Sequence, residues 1–274
     1  MSRDAVRWRV GRVRSVAGLL LALAIGAGLA GCGSAERRRL PPARSTAATL
    51  PPALSATPSI DDRVAQYGPA ARARLQPYFA SAGVPYPPAR FLLLGLKQER
   101  ELQLYAAGPD QPLAFVRAFA ILGASGGLGP KLREGDQQVP EGIYSIVYLN
   151  PNSIAHLSMA LSYPNDFDRA RAADDGRDDA TLGGDIMIHG GWKSVGCLAI
   201  GDQASEELFV LAADSSWQDA VVVISPVDFR QDKLPSGYRP PKPWVNALYN
   251  WLRSTLAALP PAPPPARSVA AGRQ

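Results

Sequence analysis

The sequence predicts an α+β fold that is rich in β-structure, formed by one domain over residues 61–258. Short apolar or alternating segments typical of strands recur between residues 91 and 225. Apolar residues at helical spacing occur at both ends of this region. Hydrophobic residues make up 46% of the 274 residues, which excludes a wholly disordered chain. The domain has neither an internal repeat nor a glycine-rich nucleotide-binding motif.

Three helices are predicted from the spacing of apolar residues. The first extends from Val64 to Phe79, and we expect Pro77 or Gly83 to bend or end it. The second is expected at Gln203–Ala213. The third begins near Trp244 and is amphipathic, so we expect its apolar face to pack on the core.

The strands are predicted from apolar runs and from alternation of apolar and polar residues. A segment with six glycines and two prolines, residues 123–142, separates the first strands from the later ones and is predicted to be a loop. Seven strands are expected, at Phe91–Leu96, Glu101–Tyr105, Leu113–Leu122, Ile143–Leu149, His156–Tyr163, Asp185–His189 and Ala220–Ser225.

The positive charge of the chain is concentrated at its N-terminus. The formal net charge is +5, and residues 1–31 carry five arginines and one aspartate, a net of +4. Residues 33–60 add a net of +3, so the remainder of the chain carries −2. A nucleic-acid-binding domain is expected to be basic, and this domain is slightly acidic. We therefore predict no nucleic-acid partner.

The N-terminal segment has the order of a secretory signal. Arginines up to Arg14 precede an uncharged apolar run, Ala17–Ala30, which is shorter than the ~20 residues that a membrane-spanning helix needs. The run ends in Leu29-Ala30-Gly31-Cys32, which resembles the lipobox of bacterial lipoproteins. The resemblance implies cleavage before Cys32 and attachment of a lipid to that residue. An ordinary signal peptide with an incidental cysteine is the alternative.

This interpretation predicts three segments outside the domain. Residues 1–31 would be the signal peptide, residues 32–60 a flexible tether joined to the membrane through Cys32, and residues 259–274 a disordered, proline-rich tail. Gly33, rather than an acidic residue, follows Cys32 and favours the outer membrane of a Gram-negative bacterium. The domain would then lie in the periplasm.

Cys197 is the one thiol left after Cys32 is assigned to the lipid. An unpaired cysteine in an oxidising compartment cannot form an intramolecular disulfide, so Cys197 is either buried and inert or chemically employed. A predicted strand leads into His189, and a glycine-containing turn reaches Cys197 eight residues later. An imidazole can take the proton of a thiol and pass it to a leaving amine.

The residues around these two side chains suit acyl transfer. Gly196 lets a substrate carbonyl approach the backbone closely and leaves N–H groups to hold an oxyanion. The chain has one remaining cysteine and two histidines without the spacing of zinc ligands, so we predict no metal and no cofactor. A buried structural thiol and a core histidine are the alternatives to a catalytic pair.

Several motifs in order resemble the L,D-transpeptidase (YkuD-like) catalytic domain over about residues 90–225. They are His189-Gly190, the turn Ser194-Val195-Gly196-Cys197, and the approach Gly129–Tyr144. The segments Leu149–Ser153 and Tyr163–Ala170 are similar to the YafK-like branch of this family. Val195 stands where the wider family has a histidine, a departure that the branch shares. The resemblance implies a catalytic domain with a mixed β-sheet or sandwich and flanking helices.

The resemblance also implies an activity, acyl transfer on peptidoglycan stem peptides. Cys197 would attack the carbonyl of the third-position diamino acid, and His189 would protonate the departing D-alanine. The Gly190 carbonyl would orient His189, with Ser194 and Gly196 completing the backbone of the oxyanion site. The acceptor stays open between a stem-peptide amine, a protein lysine and water, the last releasing a wall-linked lipoprotein. An inactive wall-binding scaffold is the alternative of another class.

Five further side chains are candidates for substrate binding. Arginine suits a carboxylate and aspartate suits an ammonium group, and the diamino acid side chain ends in both. For four of them the alternative is a turn with surface ion pairs, and for the histidine it is a hydrogen-bonded residue on a strand face. The acidic run at residues 174–179 lacks calcium-loop spacing and is predicted to be a solvated, mobile loop, with a lid as a hypothesis. The candidates are Tyr163, Asn165, Asp168, Arg169 and His156.

Overall fold

The first helix, α1 (Ile60–Ser81), begins at a capping box. The Ser59 hydroxyl accepts the N–H of Asp62, and the Asp62 carboxylate accepts the N–H of Ser59, which satisfies two N–H groups of the first turn. The helix contains Pro77 instead of ending there, and the left-handed Gly83 follows its end. The predicted helix is therefore present and longer than the apolar pattern.

The structure is a computed structural model that describes residues 57–263. The predicted signal peptide, Cys32, most of the tether and most of the proline-rich tail lie outside these residues. Among residues 57–263, no helix combines the length and the apolar character needed to cross a membrane.

Eight strands and three further helices follow α1. The strands are β1 (Arg90–Leu96), β2 (Glu101–Ala107), β3 (Ala114–Ala120), β4 (Gly142–Ser153), β5 (His156–Leu161), β6 (Met187–His189), β7 (Leu198–Ala199) and β8 (Val221–Ser225). The helices are α2 (Asp166–Asp174), α3 (Asp202–Asp214) and α4 (Val245–Ala257), with short 3-10 turns at Asp179–Thr181 and Trp217–Asp219.

The eight strands form one mixed sheet in the order β3-β2-β1-β8-β4-β5-β6-β7. The pairs β1/β8 and β6/β7 are parallel, and the other neighbours are antiparallel. The chain after β3 then crosses to the opposite edge, where the Leu122 N–H donates to the Ala199 carbonyl at 2.8 Å. The two ends of the strand order are thereby linked beside β7.

Both faces of the central strands are buried, which explains why β1 is a continuous apolar run. Phe91 and Leu93 pack in a large cluster with α1 and α3, whereas Leu92 and Leu94 pack with α4 on the other face. The predicted α+β, β-rich fold with a mixed sheet and flanking helices is confirmed.

Two elements are absent from the sequence-based prediction. Helix α2 begins directly after a predicted strand, and its signal was the capping box of Asn165 and Asp168, three residues apart. Strand β7 has only two residues, too few for a periodic pattern. It matters nonetheless, because Cys197 immediately precedes it.

Candidate active site

His189 is held within the sheet. It ends β6, where it pairs with Ser158 of β5 on one side and Ala199 of β7 on the other, and it is 8% exposed. Its Nδ1 lies 2.6 Å from the Gly190 carbonyl oxygen. A carbonyl oxygen can only accept, so Nδ1 carries the hydrogen and the Nε2 of the neutral ring keeps its lone pair.

Cys197 immediately precedes the neighbouring strand β7, close to His189 along the sheet. Parallel pairing of Ile188 with Leu198 places Cys197 beside Met187, two residues before His189. The Met187 N–H donates to Sγ at 3.4 Å, and the thiol donates to the Asp185 carbonyl at 3.5 Å. The backbone positions of Cys197 and His189 are therefore about two residues apart along the strand direction, ~7 Å of strand rise.

The surroundings of Cys197 keep it in the thiol form at rest. Burial raises the pKa of the Cys197 thiol, and the Asp185 carboxylate raises it further. The Met187 N–H and the positive charge of Lys131 act in the opposite direction, and the net shift is upward. A nucleophilic role at neutral pH thus requires a base.

The turn before Cys197 is fixed by two serine hydroxyls. The Ser194 hydroxyl accepts the Cys197 N–H at 3.1 Å and donates to the Cys197 carbonyl at 2.6 Å. The Gly196 N–H donates to the Ser125 hydroxyl at 2.6 Å, and Gly196 has a φ of +93°, a conformation that favours glycine. The N–H of Gly196, which was predicted to face an oxyanion, and the N–H of Cys197 thus already have oxygen partners. Ser125, in the glycine-rich loop, was missed by the sequence analysis.

Gly123 explains how closely the glycine-rich loop approaches this turn. A Cβ at Gly123 would lie 2.2 Å from the carbonyl oxygen of Trp192, which is closer than any side chain can come. The glycine therefore permits the segment after β3 to lie against the 190–197 turn. Val195, at the position of the family's second histidine, is exposed on the outside of this turn.

Two buried lysine–carboxylate pairs hold the glycine-rich loop, and neither was predicted. Lys131 Nζ lies 2.7 Å from Asp136, whose carboxylate also accepts the N–H groups of Leu132, Arg133 and Gln138. Burial opposes ionisation of Asp136, but Lys131 and these N–H groups keep its pKa below the usual value.

The second pair lies deeper in the protein. Lys97 Nζ contacts Glu141 at 3.0 Å and donates to the carbonyls of Gly129 and Val139, both at 2.9 Å. The Tyr249 hydroxyl of α4 donates to the other Glu141 oxygen at 2.8 Å. Burial lowers the pKa of Lys97, and Glu141 counteracts this. The pair ties the loop to β1 and to α4.

The four candidates around α2 have partners inside the protein. Asn165 caps α2 by accepting the N–H groups of Phe167 and Asp168. Asp168 accepts the Asn165 N–H at 3.0 Å, the Tyr163 hydroxyl donates to the Leu182 carbonyl at 3.3 Å, and Arg169 pairs with Asp179. Burial raises the pKa of Asp168 to about 6. These contacts match the structural alternative to substrate binding.

His156 is directed towards the helices and not towards Cys197. Its Nε2 lies 3.1 Å from Glu206 of α3, and its ring packs edge-on against Tyr67 of α1, with ring centroids 5.1 Å apart. The start of its side chain lies close to Gly190, because a Cβ at Gly190 would lie 2.9 Å from the His156 Cβ. The structure thus places His156 as a hydrogen-bonded residue of the strand.

The acidic run after α2 is tied to the glycine-rich loop. Asp175 accepts the Trp244 indole N–H at 3.1 Å and pairs with Arg177. Arg177 also donates to the Leu132 carbonyl, and the Glu134 N–H donates to the Thr181 carbonyl. Asp175 and Arg177 are therefore held by partners within the protein, whereas Asp174, Asp178 and Asp179 are exposed, as expected of a solvated loop. Within residues 57–263, no cluster of three or more His, Cys, Asp or Glu side chains is suited to hold a metal ion.

Part of the chain is similar to curated proteins. It is 37% identical over 115 residues to the protein named "Putative L,D-transpeptidase YafK" in Escherichia coli strain K12, and equally to that of Escherichia coli O157:H7. The match covers 41% of this chain and 43% of the relative, so the chain matches less than half the length of these relatives. No family model matches the chain.

Part of the chain is also similar to solved structures. The helical cell shape determining protein Pgp2 from Campylobacter jejuni aligns with a TM-score of 0.40 and 19% identity, over 58% of this chain and 56% of that one. L,D-transpeptidase 1 from Mycobacterium tuberculosis aligns with a TM-score of 0.29 and 12% identity, over 50% of this chain and 62% of that one.

A mixed sheet that carries the His189-Gly190 and Ser194–Cys197 motifs is the arrangement expected of an L,D-transpeptidase-like protein. The similarity to the Escherichia coli protein confirms that resemblance and narrows it to the YafK-like branch of the family. The arrangement brings together a thiol, an available imidazole nitrogen and a turn held by hydroxyl groups, which are the parts that thiol-based acyl transfer uses.

Proposed function

We propose that this chain is a cysteine acyltransferase of the L,D-transpeptidase type that acts on peptidoglycan stem peptides. The observation that carries the proposal is the hydrogen bond from His189 Nδ1 to the Gly190 carbonyl at 2.6 Å. It directs the basic lone pair to Nε2, on the strand that neighbours Cys197. The name of the Escherichia coli relative agrees with this activity.

The reaction would proceed through a thioester on Cys197. Nε2 of His189 takes the Sγ proton, and Sγ attacks the carbonyl of the third-position diamino acid. The tetrahedral intermediate collapses, the amine of D-alanine leaves, and His189 returns the proton to it. An amine or water then attacks the thioester and gives its proton to His189, which restores the thiol of Cys197.

The oxyanion of the intermediate needs hydrogen-bond donors, and the candidate backbone N–H groups have other partners in the resting protein. The N–H groups of Gly196 and Cys197 face the hydroxyl oxygens of Ser125 and Ser194. A substrate oxygen would take over these positions as the hydroxyls turn away, since backbone N–H groups bind an anionic oxygen more strongly than a neutral one. The raised pKa of Cys197 makes His189 necessary for forming the thiolate.

A direct test uses the full chain and a purified stem tetrapeptide. Mass spectrometry of the intact protein should find the acyl group on Cys197 with release of one D-alanine, and the His156→Asn chain should behave like the parent. Product analysis then separates the acceptors, because an amine gives a cross-link and water gives a shortened peptide. If neither the parent nor His156→Asn forms an adduct, although the thiol of Cys197 is alkylated normally, the proposed acyl transfer is wrong. The inactive wall-binding scaffold would then be the better interpretation.

We also propose that the domain is anchored by a lipid on Cys32 and faces the periplasm at the outer membrane. The lipobox resemblance at residues 29–32 and the basic start of the chain support this location. Metabolic labelling with a radioactive fatty acid should mark the parent and not Cys32→Ala. Equal labelling of the two proteins would contradict the proposal.

A further inference from the structure

A cationic cavity of about 440 Å³ lies beside the candidate active site. Its charged lining consists of Arg133, Arg177, Arg239 and Asp136. A volume of this size is typical of small-ligand sites. The cavity is unexpected in a domain whose sequence carries a net charge of −2 after residue 60. Neither the predicted site nor the thioester chemistry makes use of it.

Two of these guanidinium groups lack a carboxylate partner. Arg177 is neutralised by Asp175, and Asp136 is neutralised by Lys131. Arg133 and Arg239 are exposed, and neither forms a salt bridge within residues 57–263. Asp175 cancels the charge of Arg177, and Lys131 cancels the charge of Asp136. The charges of Arg133 and Arg239 therefore remain for an entering group.

The cavity is connected to the nucleophile through one residue. Gln138 lines the cavity, and its carbonyl oxygen would lie 3.3 Å from a Cβ at Gly196, the neighbour of Cys197. The positive charge of Lys131, behind the cavity wall, also reaches the Cys197 thiol. The cavity wall at Gln138 therefore lies against the turn that carries Cys197.

We propose that this cavity binds a free carboxylate of the stem peptide, with Arg133 and Arg239 as the residues that recognise it. Guanidinium groups match carboxylates in shape and charge and bind them through two parallel hydrogen bonds. The diamino acid next to the scissile bond carries such a carboxylate on its side chain. The inference rests on the proposed function for the identity of the ligand. It assigns to Arg133 and Arg239 the specificity of the active site for a peptide with a free carboxylate.

Binding is measured on the full chain carrying Cys197→Ala, which cannot turn the peptide over. Calorimetric titration with a stem tetrapeptide is compared between this parent and the same chain with Arg133→Gln and Arg239→Gln added. Lys233→Gln serves as the matched control, because Lys233 is an exposed cation that does not line the cavity. Thermal melting of each protein confirms that it folds.

The double variant should bind the free peptide about tenfold more weakly, in line with the loss of a charge-assisted hydrogen-bond pair, and the control should not change. The same peptide with its carboxylates converted to amides should bind the parent as weakly as the free peptide binds the double variant. Equal affinities for free and amidated peptide in the parent would overturn the proposal. The proposal would also be overturned if inorganic phosphate bound in the cavity while amidation of the peptide left its affinity unchanged.

The active chain separates this proposal from the proposed function. If Arg133→Gln with Arg239→Gln forms the Cys197 acyl adduct at the parent's rate and KM, the cavity proposal is wrong and the acyl transfer stands. If peptide binding depends on both arginines but no adduct forms on Cys197, the cavity stands and the acyl transfer is wrong.

Discussion

Two segments carry the motifs of the predicted site, residues 185–197 and residues 163–169, and the structure treats them differently. In the first, His189 keeps an available Nε2 and Cys197 keeps a thiol with only weak main-chain partners. In the second, the polar groups of Asn165 and Asp168 are consumed by contacts within the protein. The two segments both carry family motifs, so motif resemblance does not separate them. They differ in whether their polar side chains keep hydrogen-bonding groups available for a substrate.

The difference has a cause in secondary structure. Residues at the end of β6 have most of their backbone groups satisfied by the neighbouring strands, so only Nδ1 of His189 is used locally, by the Gly190 carbonyl, and Nε2 stays available. The first turn of α2 has N–H groups without helical partners, and the polar side chains around it supply the acceptors. At a strand-to-helix junction, polar side chains of the types that suggest a binding site are thus used to cap the helix.

Replacement of His189 by Asn should remove most of the activity. Without a base the thiol of Cys197 stays protonated at neutral pH, and kcat/KM for the stem tetrapeptide should fall by about 10²–10⁴-fold. The pH profile should then follow the thiol alone and move to higher pH, since burial raises the pKa of Cys197. Steady-state kinetics between neutral and alkaline pH measure both effects.

His156→Asn is the matched control for this loss. Its imidazole contacts Glu206 and Tyr67, so we expect kcat/KM to stay within about threefold of the parent and stability to fall by roughly 1 kcal/mol. A large loss from His156→Asn together with a small one from His189→Asn would exchange the roles of the two histidines.

Asp168 should make the protein less stable as the pH rises through the acidic range. Its pKa is about 6 in the folded protein against a usual 3.8, so the folded state binds the proton more tightly than the unfolded state does. Stability from this group is present below pH ~4 and is lost by pH ~6, a change of up to about 3 kcal/mol. Relative to the parent, Asp168→Asn should therefore gain stability between pH 4 and pH 7.

Urea unfolding of both proteins at four pH values across that range measures the difference. A difference in the free energy of unfolding that is constant with pH would mean that Asp168 is ionised in the folded state throughout, as expected for a carboxylate facing solvent and a cationic substrate.

Asn165→Ala should reduce stability and leave the chemistry intact. The change removes the cap of α2 and the hydrogen bond from the Asn165 amide to the Ile143 carbonyl, and we expect a cost of about 1–2 kcal/mol. Asn165→Ser keeps a capping oxygen and should lose less. Chemical denaturation gives the stability, and kcat/KM per folded molecule should equal that of the parent. A fall in kcat at unchanged stability would instead place Asn165 in the site.

Much of the fold could be predicted because each element has a periodic pattern long enough to recognise. The seven predicted strands all occur, with ends shifted by a few residues, and α1 continues through Pro77 because tertiary packing of Leu75 and Phe79 outweighs the proline. Strand β7 could not be predicted, since its two residues are ordered by pairing with β6 and by the crossing segment at Gly123.

Cys197 and His189 could be chosen as the candidate catalytic pair from the sequence, because they are rare residue types close together in the chain, and their catalytic role stays a prediction. The contacts that hold the two residues in place could not be predicted. Ser125 approaches Gly196 from 71 positions away, and Lys131 is buried only because Asp136 folds back onto it. Such contacts depend on the path of a glycine-rich loop, for which the sequence has no period.

Arg169→Gln gives the smallest expected change and bears on the role of the whole 163–169 segment. Arg169 and Asp179 form an exposed pair, and such pairs contribute roughly 0–1 kcal/mol, so the free energy of unfolding should change by less than about 0.5 kcal/mol. Because the guanidinium is paired with Asp179, kcat/KM for the stem peptide should stay within about twofold. A tenfold rise in KM would show that Arg169 leaves Asp179 for a substrate carboxylate, and residues 163–169 would then belong with Cys197 and His189 in the site.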